Sequence, residues 1–228
     1  MTKPRFSPAS RARLSPRDLP RFPGETLFDR IARAVCRADC LPRKELFESW
    51  EVARRARRRF RGGRVVDLAC GHALVAHLML VLDDTSTSAV AVDRRLPDSA
   101  PSLADAMVEA WPRLAGRVAL QEGALEDVVL EPSDVVVSAH ACGALTDTVL
   151  ARASEARARV VVLPCCHAAD GGDDGGLRGW VDVSLAIDVT RAARLRASGY
   201  RVLTQTIQQA ITAKNRLLLG EPERVATR

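Results

Sequence analysis

Along this chain the spacing of apolar residues changes once, near residue 60. From Thr26, read as an N-cap, Leu27, Ile31, Ala34, Val35 and Ala38 recur at helical intervals until Leu41-Pro42 ends the run. A second amphipathic helix is predicted from about Lys44 to Phe60, with Leu46, Trp50, Ala53 and Phe60 on one side and Arg54, Arg55, Arg57, Arg58 and Arg59 toward the other. Beyond Gly62-Gly63 the pattern becomes short β-branched runs: Arg64 to Leu68, Ala89 to Val92, Val118 to Leu120, Asp134 to Ser138 and Val160 to Leu163. Helices are predicted near 72–82, 103–115, 144–156 and 188–198. Strands that alternate with helices imply a parallel sheet with right-handed crossovers. The last two strands, near Tyr200 to Ile207 and Arg216 to Leu219, are too close in sequence for a crossover helix, so an antiparallel hairpin is expected. The fold class is therefore α/β, with five parallel strands, an antiparallel terminal hairpin and helices in front.

Residues 1–22 carry arginines and prolines without apolar periodicity and are expected to form a flexible basic arm. The expected division is that arm, a helical extension over 23–62 and an α/β domain over 63–222. At 228 residues and 47% hydrophobic content the chain can bury one full core. No apolar run approaches the roughly 20 residues of a membrane span, and no secretory leader is legible. The expected compartment is the cytoplasm, where the six cysteines, two of them adjacent, are reduced thiols and no disulfide framework forms. The net charge of +6 comes almost wholly from arginine, since lysine occurs only at Lys3, Lys44 and Lys214. Such a bias suits phosphate contacts but also ordinary solvated faces, and the Arg54 to Arg64 run is open to both readings.

Candidate chemistry begins at Val65-Val66-Asp67-Leu68-Ala69-Cys70-Gly71-His72-Ala73, which reads as a strand followed by a ligand-binding turn. A pyrophosphate cofactor normally requires three glycines there, and this turn has one, which disfavours nicotinamide dinucleotides. S-Adenosylmethionine has no phosphate and asks for different partners. Asp67 is placed to hold its ammonium group, Ala69 and Gly71 to line its methionine tail, and Asp93, at the end of the second strand, to accept from its ribose hydroxyls. Glu122, or the backbone of Ala124, is the candidate for the adenine edge, and Ser138 at the end of strand four completes the cofactor set. The blander alternatives are a helix cap for Asp67 and a loop ion pair for Asp93.

Reactive groups in an open parallel sheet gather beyond the strands' carboxyl ends. Strand four ends in Ser138-Ala139-His140-Ala141-Cys142-Gly143-Ala144-Leu145-Thr146-Asp147, and strand five in Leu163-Pro164-Cys165-Cys166-His167. These two segments, His-x-Cys-Gly-x-x-Thr-Asp and Pro-Cys-Cys-His, resemble the methyltransferase family that includes tRNA 2′-O-methyltransferases of the acceptor stem and methyltransferase-like domains of animal proteins. Ala186-Ile187-Asp188-x-x-Arg191 and Ile211-Thr212-x-Lys214-Asn215-Arg216 are similar to it as well. The resemblance implies the Rossmann-like, seven-stranded methyltransferase fold, methyl transfer from S-adenosylmethionine, and RNA as the substrate class. The zinc-binding front end of the tRNA enzymes is absent here, and basic helices stand in its place.

His140 is a candidate general base on a hydroxyl or amine, with Asp147 to orient it. Cys165 or Cys142 offers a rival thiolate route of the kind used at pyrimidine carbons. Metal binding by Cys142, Cys165, Cys166 and His167 is disfavoured, because adjacent cysteines seldom face one tetrahedral ion. The Gly/Asp-rich run from Ala168 to Gly176 reads as a surface loop or a substrate lid, with Trp180 as a stacking surface. Other substrate classes, a small molecule or a protein side chain, and an inactive RNA-binding module remain open.

Overall fold

A computed structural model describes residues 6–164, 167 and 172–223. Six α-helices and seven strands run in the order α1 (Leu27–Ala38), α2 (Arg43–Arg59), β1 (Val65–Leu68), α3 (Leu74–Leu82), β2 (Ala89–Asp93), α4 (Ala100–Ala110), β3 (Val118–Glu122), β4 (Val135–Ser138), α5 (Ala144–Glu155), β5 (Arg159–Val162), α6 (Val183–Ala197), β6 (Tyr200–Thr206) and β7 (Arg216–Pro222). They build one seven-stranded sheet of order β3-β2-β1-β4-β5-β7-β6. β1 to β5 are mutually parallel, and β7 inserts antiparallel between β5 and β6. This is the Rossmann-like methyltransferase arrangement expected from the sequence.

The β-branched runs are buried on both faces because helices cover both. Val65, Val135, Val137 and Val161 pack with α1 to α4, whereas Val66, Val136, Val160 and Val162 pack with α5 and α6. Strand order reverses between β1 and β4, so a crevice opens where their carboxyl ends diverge.

Two helix boundaries differ from expectation for local reasons. α4 begins at Ala100 with Pro101 in its first turn and ends by Trp111, since the residue before Pro112 is turned out of helical geometry. α6 starts at Val183, five residues earlier than the periodicity suggested, because the Asp182 side chain accepts from the Leu185 N–H and caps it.

The expectation of a flexible arm fails over the described residues 6–22. Leu14 is fully buried, Phe22 nearly so, and Pro16–Arg21 forms a 3-10 helix packed on α1. The cause is a capping need. Pro42 at the start of α2 offers no side-chain acceptor, and the carbonyls of Ala12 and Ser10 take the Arg43 and Lys44 N–H groups at 3.0 and 2.9 Å. The Arg43 guanidinium lies over the Phe6 ring, 3.6 Å from its centroid.

Candidate active site

The turn after β1 carries the cofactor candidates. Ala69, Gly71 and Ala73 all take left-handed backbone conformations, with φ of 55°, 53° and 62°. For the two alanines this costs on the order of 1 kcal/mol each, and the turn is held by hydrogen bonds. The Gly71 N–H donates to Asp93 Oδ2 at 2.9 Å, and the Cys70 N–H to the Val92 carbonyl at 3.2 Å. Asp67 lies fully buried beneath the turn, its Oδ2 accepting from the Ala76 N–H at 3.0 Å in the first turn of α3. Burial pushes its carboxyl up to about 8, and the charges of Asp93 and Glu45 push the same way. A chain of net charge +6 thus brings two carboxyl groups, Asp67 and Asp93, to one turn.

Beside the turn, Ala69, Asp93, Gly123, Ala124, Leu125 and Leu145 line a cleft of about 370 Å³. Its size lies in the range of small-ligand sites. Asp93 accepts from the Gly71 N–H through Oδ2 and, at 3.4 Å, from the Arg95 N–H through Oδ1, and it stands at the cleft wall with acceptor capacity to spare. The anionic turn and the missing side chain at Gly71 suit a cationic sulfonium cofactor bearing an ammonium group, and suit a pyrophosphate poorly.

Two of the expected cofactor residues are turned elsewhere. Glu122 Oε1 accepts from the Leu96 N–H at 3.0 Å, so its side chain braces the loop after β2 while residues 123–125 face the cleft. Ser138 is buried, and its hydroxyl donates to the Leu68 carbonyl at 2.6 Å, tying β4 to β1.

On the other side of the turn, a larger recess of about 630 Å³ includes His140, Glu45, Arg11, Lys44 and Lys214 in its lining. Its walls come from residues 9–11, the start of α2, the end of β4 and the β6–β7 turn. Glu45 carried no role in the sequence reading. Its Oε1 lies 3.9 Å from His140 Nε2, 3.8 Å from His72 Nδ1, and 3.9 Å from where a Gly71 Cβ would stand. Only the helical start of α2 signalled an acid there, and helix periodicity does not say which turn overlies the sheet.

Asp147 does not orient His140. Its two oxygens are taken by Arg191, Nε to Oδ1 and Nη2 to Oδ2, both at 2.8 Å. Arg191 also donates to the Gly143 carbonyl at 2.9 Å and lies 3.4 Å from Asp188. Asp188 in turn pairs with His167 Nε2 at 2.7 Å and Arg216 Nε at 2.6 Å. Burial alone would raise the Asp188 carboxyl, but hydrogen bonds from His167 and Arg216 hold it below its ordinary value. The motif residues Asp147, His167, Asp188, Arg191 and Arg216 therefore form one charged brace. It joins the segments after β4 and β5 to α6 and β7.

Cys165 and Cys166 lie outside the described residues, as do 168–171 of the proposed lid. Cys142 is exposed, and Trp180 is 87% exposed on the turn before α6. Among the described residues, no group of three His, Cys, Asp or Glu side chains is arranged to hold a metal ion. No described helix is long and apolar enough to cross a membrane.

Most arginines from Arg54 to Arg64 are already engaged by the protein, with Arg58 and Arg61 the exposed members of the run. Arg54 and Arg55 pair with Glu51, Arg59 with Glu221 and Arg64 with Asp134. Arg57 is buried, bonded to the Met79 and Phe60 carbonyls, Ser86 and Asp83, and burial lowers its guanidinium to about 10. α2 is about 25 Å long at 1.5 Å per residue. It starts at the recess and ends at the amino edge of the sheet, so this run sits at the far end from the cleft.

A family model described as a methyltransferase domain matches residues 46–169, more than half of the chain. Among solved structures, an O-methyltransferase family protein from Burkholderia thailandensis aligns with a TM-score of 0.52 at 18% identity. That alignment covers 92% of this chain, which spans 63% of that protein's length. The S-adenosylmethionine-dependent methyltransferase SibL in its apo form aligns at 0.50 and 19% identity, over 93% of this chain and 66% of its own. An uncharacterized protein from Listeria monocytogenes serotype 4b aligns at 0.50 and 13% identity, covering 77% and 69%. At these identities the likeness is one of fold. No curated protein matches the sequence.

Proposed function

The chain belongs to the methyltransferase-domain family, and from that premise we propose that it transfers the methyl group of S-adenosylmethionine to a hydroxyl or amine of RNA. The observation that carries this reading is the pair of recesses on either side of the Ala69 to Ala73 turn. One is the cleft edged by Asp93, and the other holds His140 among Arg11, Lys44 and Lys214. When bound, the cofactor supplies an electrophilic methyl on a sulfonium. Asp67 would hold its ammonium, directly or through water, Asp93 would accept from its ribose hydroxyls, and the backbone of Ala69 and Gly71 would border its methionine chain. His140 takes the proton of the acceptor. The thiolate alternative rests on Cys165 and Cys142, of which Cys165 lies outside the described residues.

Support for RNA comes from the rim of the second recess. Arg11 and Lys214 are exposed, and among the described residues neither pairs with a carboxylate, so both are free to meet phosphates. The thiols of Cys36, Cys40 and Cys70, none in a disulfide, support a cytoplasmic setting.

The test is transfer of a labelled methyl group from S-adenosylmethionine into total RNA, protein and metabolite extracts. Label in RNA is expected. A second reading, a small-molecule acceptor, is favoured by the recess's volume of about 630 Å³, and label confined to the metabolite fraction would establish it instead. Cofactor binding without transfer to any fraction would leave an inactive RNA-binding module.

A further inference from the structure

Glu45 stands in the first turn of α2, where an acid is ordinarily explained by the helix dipole. Its surroundings ask for more. The side chain is 18% exposed, and Oε1 faces two imidazoles at 3.8 and 3.9 Å, beyond hydrogen-bond reach of either. His140 Nε2 is shut off from solvent and has no hydrogen-bond partner. His72 is fixed from behind, its Nε2 on Ser99 Oγ at 3.0 Å, so Nδ1 stays turned toward Glu45. The neighbouring Lys44 does not neutralise Glu45, because it is paired with Glu48 at 2.8 Å. An anionic oxygen and an imidazole nitrogen without a hydrogen-bond partner therefore stand 3.9 Å apart, and a small parting of the two side chains admits one bridging N–H or O–H group between them. Both residues line the recess, and Glu45 Oε1 borders the turn at Gly71.

We propose that Glu45 is a positioning residue for methyl transfer: it holds the acceptor atom against His140 and stabilises the imidazolium that forms there. The inference rests on the proposed function above. The acceptor's oxygen or nitrogen forms a bond to the methyl carbon, and the carbon–sulfur bond breaks with its electron pair left on sulfur. The acceptor's proton passes to His140 Nε2. Sulfur loses its positive charge, the imidazolium gains one, and the Glu45 carboxylate lies beside the charge at its new location. The acceptor is accordingly a neutral hydroxyl or amine that must shed a proton.

The experiment uses the full chain with Glu45→Gln and Glu45→Ala. Calorimetry with S-adenosylmethionine is expected to show binding within about twofold of the parent for both. With the RNA fraction that accepts label, kcat falls about 100-fold at little-changed KM, the lower end of what a positioned acid–base group contributes. Added formate restores part of the loss in Glu45→Ala by filling the vacated position. Unchanged kcat in Glu45→Gln overturns the proposal, as does loss of cofactor binding in parallel with kcat, or failure of formate to rescue. Ring ¹H–¹⁵N spectra supply an arm without any acceptor. Glu45→Gln should move the His72 and His140 signals and leave those of His77, whose Nδ1 bonds the Ala73 carbonyl at 2.8 Å. Unmoved His140 signals overturn the pairing. An inactive parent protein with moved signals instead defeats the proposed function and not the pairing.

Discussion

Arg191 grips Asp147 through two parallel hydrogen bonds of 2.8 Å, and this fork joins α6 to the first turn of α5. The guanidinium side chain is 2% exposed and the carboxylate 37%. Removing the buried partner leaves Asp147 without its counter-charge and the Gly143 carbonyl unpaired, while Asp188 keeps His167 and Arg216, so Arg191→Ala should cost about 3–5 kcal/mol of stability in urea unfolding. Asp147→Asn should cost less, about 1–2 kcal/mol, because its site is wetter. If Asp147→Asn instead leaves stability intact and abolishes turnover, Asp147 acts on His140 after all.

Asp67 gives the free protein a pH dependence of unusual sign. Its carboxyl lies at about 8 when folded and near 3.9 when unfolded. Between those values the folded state keeps a proton that the unfolded state has released, so this group makes stability fall as pH rises from about 4 to about 8. Asp67→Asn should flatten that slope and gain about 2–4 kcal/mol relative to the parent at pH 7. Binding of a cofactor ammonium ionises Asp67, so calorimetric enthalpies at pH 7 should differ between phosphate and Tris by the heat of one released proton. Equal enthalpies in the two buffers would count against an ammonium at Asp67.

Asp93 both holds the Gly71 N–H at 2.9 Å and lines the cleft. Asp93→Ala should weaken S-adenosylmethionine binding by about 100-fold, two charge-assisted hydrogen bonds being lost. A variant that binds normally would remove the ribose assignment.

How far the sequence carried the reading depends on the range of each interaction. The β-branched runs are local signals, and the placement of Asp67 in β1 and Asp93 at the end of β2 was legible because strand, turn and acid are adjacent in sequence. Arg57 was misread as surface, since a cation on a helix is normally solvated. Its burial depends on Asp83 and Ser86, supplied after a strand and a helix have intervened. Asp147 was misassigned for the same reason, its partner lying 44 residues away. Residues 6–22 read as a flexible arm because they lack apolar periodicity and part of their hold on α2 comes from backbone carbonyls, which every sequence possesses.

Arg57→Ala should therefore be among the most damaging changes outside the cleft. It strips Asp83 of a 3.1 Å partner in a dry site and leaves the Met79 carbonyl unpaired. A loss of about 3–5 kcal/mol is expected by chemical denaturation. A loss under about 1 kcal/mol would mean water replaces the guanidinium.

For nucleic-acid binding, Arg11→Gln and Lys214→Gln should each reduce the slope of log affinity against log salt by about 0.7 with single-stranded RNA. Arg58→Gln, on the exposed far end of α2, should leave the slope unchanged. The reverse pattern would return the phosphate track to the Arg54 to Arg64 run.

The place of β7 has a consequence for how the chain assembles. β7 is the last strand along the chain, yet in the sheet it lies between β5 and β6. During synthesis, β1 to β5 can pair while β5 still presents an apolar, unpaired edge and β6 has no neighbour. The same final segment brings Lys214 to the recess and Arg216 to Asp188. A nascent protein halted before residue 216 would thus be both inactive and prone to edge-to-edge association, and completing the site and sealing that edge occur in one event.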